Sequence, residues 1–282
     1  MEKSNIDEKI KLLTGSGMWH TQEVEGLPSV HLSDGPHGLR KQEEKERQNN
    51  VSLVSTCYPT ASALACSWDV TAAERLGRAV AKEAWNADVA VLLGPGINMK
   101  RSPLCGRNFE YFSEDPFLAG RLGAAYVSAA QGEDVAVSLK HFAANNQETN
   151  RQTSNSQIDE RALREIYLSA FEYVVKTARP ATIMASYNRL NGYYACENRH
   201  LLTEILREEW GFDGVVISDW GACADLAKAV KAGMDLEMPD SHGIHARKLK
   251  AALKAGEISE EDIAKAAGRI EKGGCIAGKK PL

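Results

Sequence analysis

Short apolar runs alternate with amphipathic stretches from one end of the chain to the other. Seven runs have the length and the apolar, often β-branched, composition of buried strands. They are SVHLS (29–33), TASALA (60–65), VAVLLG (89–94), VAVSLKHF (135–142), TIMASYN (182–188), GVVISD (214–219) and MDLEM (234–238). Because these runs are apolar almost throughout, they indicate a parallel sheet that is covered on both faces.

The stretches between the strands repeat apolar residues at helical spacing and predict helices. They include residues 71–86, 159–178, 199–210 and 245–255. The first opens with Thr71 and Glu74 at the spacing of a capping box. Gly211 and Gly256 follow the last two, at the position where a helix commonly ends in a glycine.

Strands that alternate with helices along one chain predict the α/β class, and seven strands are close to a (β/α)8 TIM-type barrel in which one strand or helix is missing or irregular. An open doubly wound sheet is the alternative fold. It is disfavoured because no G-x-G-x-x-G motif follows the first strand. We predict one barrel domain over residues 1–272, followed by a short tail over residues 273–282.

Composition and charge exclude several classes of protein. With 282 residues, 43% of them hydrophobic, the chain is long enough to form a large core. The net charge is −4, and the basic residues are scattered, which argues against nucleic acid or a membrane surface as a partner. The mixed-charge stretch 40–50 predicts a solvated loop.

The cysteines and the N-terminal residues suggest the cellular compartment of the protein. The six cysteines form no C-x-x-C pair, so we expect free, mostly buried thiols in a reducing compartment. No signal peptide or membrane-spanning stretch is recognisable, and we therefore expect a cytoplasmic protein. His242 and His245 lack the spacing of a zinc-binding helix, so neither a metal nor a cofactor is predicted.

Candidate functional residues lie at or after the ends of six of the predicted strands, where barrel enzymes carry their active sites. In chain order they are Asp34 and Arg40, then Arg107, Asn108 and Glu110, then Lys140, His141 and Arg151, then Met184 and Tyr187, then Asp219 and Trp220, then Asp235 and Glu237. Each has an ordinary explanation when taken alone. Asp219, for example, follows an apolar run as a turn former or helix cap would. Six strand ends of this kind together favour a functional site.

The residue types suit a sugar ligand. A carboxylate beside lysine, histidine and arginine is expected to stay ionised, because nearby cations stabilise its charged form. Such side chains bind vicinal hydroxyls, while Trp220, Tyr187 and Met184 offer an apolar surface to the ring. An ionised carboxylate in this setting can attack an anomeric carbon and form a glycosyl intermediate.

Several motifs resemble the N-terminal catalytic domain of glycoside hydrolase family 3, in its β-glucosidase branch. In order they are LLTGSGMWH, SDGPHGLR, PTASALACSWD, GRNFEYFSEDP, KHFAANNQE, MASYNRLNG, GFDGVVISDWGA and AGMDLEMP. The resemblance implies a retaining mechanism with Asp219 as the nucleophile and a β-glucoside or related β-glycoside as the substrate. It also implies a sugar subsite formed by Asp34, Arg107, Lys140, His141, Arg151, Met184, Tyr187 and Trp220.

Further expectations concern the surroundings of this subsite. Glu110 and Glu148 are expected to contact the basic residues, while Glu237 is left unassigned. Neighbouring residues of a regular strand face opposite sides, so Lys140 and His141 cannot both point inward from one. We therefore predict a distorted backbone there, such as a cis peptide bond.

The resemblance places the general acid, a glutamate, in a second α/β sandwich domain that this sequence lacks. We therefore expect weak activity, or activity that depends on a partner chain or domain. A sugar-binding remnant without useful turnover is the alternative. N-acetylglucosaminidase activity is disfavoured because the loop after KHF has no histidine. A phosphate-binding barrel is disfavoured because residues 238–250 form a poor phosphate loop.

Overall fold

The structure is a computed structural model that describes residues 5–42 and 51–272. Its strands are β1 (Gly15–Ser16), β2 (His20–Thr21), β3 (Leu32–Asp34), β4 (Val91–Leu93), β5 (Ala136–Phe142), β6 (Asn155–Ser156), β7 (Thr182–Ala185), β8 (Arg189–Leu190), β9 (Tyr193–Tyr194) and β10 (Val215–Ser218). Its α-helices are α1 (Ile6–Leu12), α2 (Ala61–Ala65), α3 (Val70–Asn86), α4 (Pro116–Gln131), α5 (Glu160–Ala162), α6 (Ser169–Ala178), α7 (Leu226–Ala232), α8 (Ile244–Lys254) and α9 (Glu260–Lys272). Two π-helical segments, Leu163–Tyr167 and His200–Glu209, complete the helical layer.

Five parallel strands form the central sheet, in the order β10-β7-β5-β4-β3. This order follows the chain without reversing, and a helical segment lies between each successive pair of these strands. A doubly wound sheet would reverse its strand order at a switch point, so that alternative is wrong. The small strands β6, β8 and β9 form a separate sheet.

Irregular contacts close the sheet into a ring. Leu236 bridges to β10, and Glu237 bridges to Thr14, directly before β1. β1 pairs with the antiparallel β2, and β2 bridges to His31, directly before β3. The predicted TIM-type barrel is therefore confirmed. Its irregular part is the arc from residue 234 to β3, where single bridges and a hairpin replace regular parallel strands.

The strand register gathers three polar residues on one face of the sheet. Residues paired in register face the same side, and so do alternate residues of one strand. Through the pairs that link β3, β4, β5, β7 and β10, this rule places Asp34, Lys140 and Asp219 on a common face. All three lie at or near the carboxyl ends of their strands.

Some sequence predictions about individual elements are wrong. Residues 60–65 form helix α2 and not a strand, because alanine favours helix and the Thr60 side chain accepts a hydrogen bond from the Ala63 amide. Helix α3 is capped by Asp69 and not by Thr71. Residues 234–238 join their neighbours only through isolated bridges.

Two predicted helix ends are confirmed. Gly211 and Gly256 have φ values of 72° and 74°, the left-handed conformation that a glycine adopts at little cost after a helix. Five cysteines are free, and three of these are buried, while Cys275 lies outside the described residues. Residues 43–50 of the mixed-charge stretch and the tail over residues 273–282 also lie outside them. No helix in the described ranges is long and apolar enough to cross a membrane.

Candidate active site

Asp219 lies directly after β10 and is buried at the carboxyl end of the barrel. Its amide donates a hydrogen bond to Ala185 O at 2.9 Å, and its Oδ1 accepts one from the Trp220 amide at 2.7 Å. Its Oδ2 has no hydrogen-bond partner within the described part of the chain. The side chain is therefore fixed through one oxygen, and the other keeps its lone pairs available.

His141 is held beside this free oxygen through its backbone. The distorted backbone predicted here is confirmed, because the peptide bond between Lys140 and His141 is cis. Asn98 Oδ1 accepts from the His141 amide at 2.6 Å, and Asn98 Nδ2 donates to His141 O at 2.8 Å. The imidazole Nε2 then lies 3.7 Å from Asp219 Oδ2.

The two ring nitrogens of His141 have different partners. Arg107 Nη2 lies 2.7 Å from Nε2, and the Tyr111 hydroxyl lies 3.1 Å from Nδ1. Since a guanidinium only donates, Nε2 must accept, and the proton of a neutral ring belongs on Nδ1. Burial, together with the charges of Arg107 and Lys140, holds the pKa of His141 well below its ordinary value of 6.5. The histidine is therefore neutral at pH 7.

A chain of charged side chains continues from Arg107 across the barrel. Arg107 Nε donates to Glu110 Oε1, and Glu110 Oε2 lies 3.9 Å from the Lys140 ammonium. The same ammonium donates to Asp34 Oδ1 at 3.3 Å. Glu110 and Lys140 are buried, so this network brings two cations and two carboxylates together at the strand ends.

Arg151 and Tyr187 form a second wall. Arg151 Nη1 donates to Glu148 Oε2 at 2.6 Å, and the guanidinium lies 4.4 Å from the centre of the Tyr187 ring. The Tyr187 hydroxyl donates to Trp220 O at 3.0 Å. Through this hydrogen bond, the second wall contacts the backbone of the residue next to Asp219.

Trp220 has an aromatic neighbour that the sequence analysis did not single out. The Trp19 ring lies 5.2 Å from the Trp220 ring at an angle of 38°, and Trp220 Nε1 donates to Met18 O at 2.8 Å. Sequence reasoning also missed Asn98 and Tyr111. Both follow β4 along the chain, and their position after a predicted strand is the signal that could have found them.

Met184 stands apart from the other candidate residues. It is fully buried in the core and pairs in register with Ile217 of β10. Ile217 comes two residues before Asp219 and faces the same side of the sheet. No described polar contact joins it to the charged network. The structure therefore brings Asp34, Arg107, Lys140, His141, Arg151, Tyr187, Asp219 and Trp220 into one connected group and leaves Met184 beneath it.

The electrostatics of Asp219 differ from the expectation that cations would dominate. Burial raises its pKa above the ordinary 3.8, although Arg107, Lys140, the Trp220 amide and the Tyr187 hydroxyl act in the opposite direction. The prediction named the right charged neighbours but omitted the cost of removing the carboxylate from water. A buried carboxylate that is raised in energy in this way is more basic than an exposed one.

Comparison with known proteins identifies the family. Residues 36–272 match the model of the glycosyl hydrolase family 3 N-terminal domain. The chain belongs to glycosyl hydrolase family 3. It is 51% identical to the thermostable β-glucosidase B of Acetivibrio thermocellus over 276 residues, which are 96% of this chain and 37% of that protein. The resemblance inferred from the motifs is thereby confirmed.

A second relative shows the variety of this family. The exo-α-(1→6)-L-arabinopyranosidase of Bifidobacterium longum is 51% identical over 242 residues, 84% of this chain and 32% of that protein. The chain spans about a third of the length of these curated relatives. Its sugar specificity is accordingly a matter for proposal and test.

Solved structures of family 3 members have the same fold. The β-glucosidase of Kluyveromyces marxianus in complex with glucose superposes with a TM-score of 0.93 at 41% identity, covering 98% of this chain and 33% of that one. A family 3 β-glucosidase from Bifidobacterium adolescentis gives 0.91 at 45% identity, covering 98% and 40%.

Two acidic residues at the seventh strand end have partners outside the charged network. Asp235 Oδ2 accepts from Arg207 Nη2 at 2.7 Å, and its Oδ1 accepts from Arg269 Nε at 2.7 Å. Glu237, unassigned from the sequence, contacts His245 Nδ1. Within the described ranges, Glu237, His245 and Cys223 are the one group of three side chains placed to hold a metal ion.

Proposed function

We propose that this family 3 domain cleaves β-glycosides, with β-glucosides as the first candidates, by a retaining mechanism in which Asp219 is the nucleophile. The observation that carries the proposal is the state of the Asp219 carboxylate. Its Oδ1 is fixed by a backbone amide, while its Oδ2 is buried without a partner among the described residues. An oxygen held in this way can attack a carbon without first breaking a hydrogen bond.

Two steps follow from this assignment. In the first, Asp219 Oδ2 bonds to the anomeric carbon as the glycosidic C–O bond breaks, and the leaving oxygen takes a proton from a general acid. In the second, water attacks the same carbon and gives a proton to the conjugate base of that acid. The Asp219 carboxylate then leaves, and the sugar keeps its original anomeric configuration.

The charged network would position the sugar that is cleaved. Lys140, Arg107 and Arg151 can donate to ring hydroxyls, and the partly exposed carboxylate of Asp34 can accept from them. Each of these groups already has a partner of opposite charge, so its orientation is set before substrate arrives. Pre-organisation of this kind lowers the cost of binding.

We propose that the general acid comes from outside the described residues, on a partner chain or a second domain. Among the described carboxyl groups of the site, Asp34, Glu110 and Glu148 each bind a lysine or arginine side chain of the network. Side chains held in this way position the basic residues and are not free to approach a leaving group. Without acid assistance, cleavage of natural glucosides is expected to slow by roughly 10²- to 10⁴-fold.

The decisive experiment is covalent trapping of the nucleophile. The chain is incubated with a 2-deoxy-2-fluoro-β-glucoside that has a dinitrophenolate leaving group, which needs little protonation, and its intact mass is measured. We expect one added fluoroglucosyl group, and peptide mapping should locate it on Asp219. The corresponding galactoside, xyloside and α-L-arabinopyranoside, tested in parallel, would identify the sugar.

Two variants make the trapping interpretable. Asp219→Asn removes the nucleophile, and we expect it to give no adduct. Asp213→Asn is the matched control, since Asp213 is exposed just before β10, at the opposite end of the same strand. An adduct on another residue, or reversible binding of every sugar without an adduct, would contradict the proposal. The second outcome would instead favour a sugar-binding remnant.

A further inference from the structure

We propose that Cys223, Glu237 and His245 form a binding site for a single zinc ion, separate from the charged network around Asp219. One potential ligand atom from each of the three residues lies within 4.8 Å of the other two. The cluster combines residues from a turn after β10, from the bridging segment after α7 and from helix α8. It therefore brings together side chains from three separate elements within residues 223–245.

The geometry is close to that of a zinc site. Zinc bonds to sulfur at about 2.3 Å and to nitrogen or oxygen at about 2.0–2.2 Å, so tetrahedral ligands lie roughly 3 to 4 Å apart. Small side-chain movements would bring these three atoms, which already lie within 4.8 Å of one another, to that spacing. The ion would replace the hydrogen bond between Glu237 and His245, and the Cys223 thiol would release its proton to solvent as it binds.

The ligand types select the metal. A thiolate, an imidazole and a carboxylate together suit zinc, whereas calcium and magnesium prefer oxygen ligands alone. Cys223 and Glu237 are buried, while the His245 side chain keeps 17% of its surface exposed and leaves a route from solvent. Three protein ligands leave the fourth tetrahedral position for water.

The site would restrain the turn that follows Asp219. The Ala222 amide donates to Asp219 O at 2.9 Å, and the Gly221 amide donates to Met238 O at 2.9 Å. Residues 219–223 therefore already contact the segment that carries Glu237. An ion held between Cys223 and Glu237 would crosslink the two, and we expect it to raise the melting temperature of the protein.

Metal titration tests the proposal without reference to glycosidase activity. Zinc binding is measured by calorimetry after treatment of the protein with a chelator. Cadmium binding is measured by ultraviolet absorption, because a cadmium–thiolate bond gives a charge-transfer band. We expect one ion per chain, a band in the wild type, and zinc affinity lowered at least about 10-fold in Cys223→Ser and His245→Gln.

Matched controls separate this site from unspecific binding. Cys105→Ser changes a buried cysteine outside the cluster, and His242→Gln changes an exposed histidine three residues before His245. Both should bind zinc as the wild type does. Unchanged zinc affinity in folded Cys223→Ser or His245→Gln would overturn the proposal, as would a cadmium band of undiminished intensity in Cys223→Ser. Should Cys223→Ser fail to fold, Glu237→Gln takes its place in the zinc titration.

Discussion

Two buried aspartates, Asp219 directly after β10 and Asp235 beside Val216 near the start of β10, have opposite surroundings. Asp235 is fully buried, and both of its carboxylate oxygens accept hydrogen bonds, from Arg207, Arg269 and the Val216 amide. Asp219 is also buried but has one oxygen without a described partner. Hydrogen-bond saturation, more than burial or nearby arginines, therefore distinguishes Asp235 from the carboxylate that we propose as the nucleophile.

The neighbouring arginines serve the two aspartates differently. Arg207 and Arg269 bind Asp235 directly and use it to hold β10 against a π-helical segment and α9. Arg107 instead binds Glu110 and His141. It affects Asp219 only through the electrostatic attraction of its charge. A carboxylate whose two oxygens are both bound by guanidinium groups has no oxygen available for attack, so Asp235 is suited to support the fold. The free oxygen of Asp219 agrees with the proposal that it is the nucleophile.

The largest expected effect is on activity, from Asp219→Asn. We expect the rate of glycosylation by dinitrophenyl β-glucoside to fall by more than ~10³-fold, because the amide cannot act as the nucleophile. The free energy of unfolding at pH 7 should not fall, since the substitution removes a buried charge with one unpartnered oxygen. Burst kinetics and urea denaturation check the two parts. A glycosylation rate equal to that of Asp213→Asn would show that another group attacks.

The reverse pattern is expected for Asp235→Asn. Removing the charge from a buried ion pair leaves two guanidinium groups without their anion, at a cost of about 3 kcal/mol in the free energy of unfolding. The folded fraction should still be glycosylated on Asp219. Urea denaturation and intact mass measure these effects. Wild-type stability together with lost glycosylation would reverse the roles assigned to the two aspartates.

Arg107→Lys tests the indirect role of that arginine. A single ammonium cannot reach both Glu110 and His141, so His141 should lose its fixed orientation beside Asp219. We expect kcat/KM to fall by roughly 10²-fold with little change in stability. Arg121→Lys, at a surface arginine on α4, is the matched control. Equal kinetics of the two variants would contradict a role for Arg107 in the site.

The smallest expected effect is a pH dependence of stability. Burial raises the pKa of Asp219 in the folded state, so the folded protein binds this proton more tightly than the unfolded chain does. The stabilising contribution of the protonated group is complete below the ordinary pKa of 3.8 and is lost as the pH rises through the folded-state value.

Urea denaturation of the wild type and Asp219→Asn from about pH 3 to pH 7 measures this effect. The asparagine variant should gain stability relative to the wild type as the pH rises. Other groups that titrate in this range are present in both proteins, so the difference reports Asp219 together with its effect on His141, whose Nε2 lies 3.7 Å from Asp219 Oδ2. A difference that moves the other way would mean that the nearby cations outweigh burial.

Most of the side chains that are connected in the candidate site could be predicted from the sequence, because apolar runs end abruptly in charged or aromatic residues. Val215, Val216 and Ile217 predict a buried strand from composition alone, and Asp219 comes directly after it. In a parallel barrel the carboxyl ends of all strands lie at one face. Residues that end different strands in the sequence are therefore predicted to lie near one another in space. The ordered family motifs then supplied the roles that the pattern could not.

Other features could not be predicted because their signals are not local. Residues 60–65 have an apolar pattern that fits a strand or a short helix, and the Thr60 cap decided between them. Trp19 reaches Trp220 only because the barrel closes near its N-terminus. Asp235 follows Met234, and Asp219 comes two residues after the apolar run 215–217. Nothing in the sequence near either aspartate indicates the two arginines that bind Asp235.

The sequence by itself determined the class of fold, the order of the strands and the identity of the charged residues at their ends, because periodicity and residue type are properties of the chain alone. The tertiary structure decided which of those charges neutralise one another, which oxygen of Asp219 stays free, and that Cys223, Glu237 and His245 meet. The physical reason is that pairing and desolvation depend on distances between residues far apart in the chain. Those distances exist only after the barrel closes.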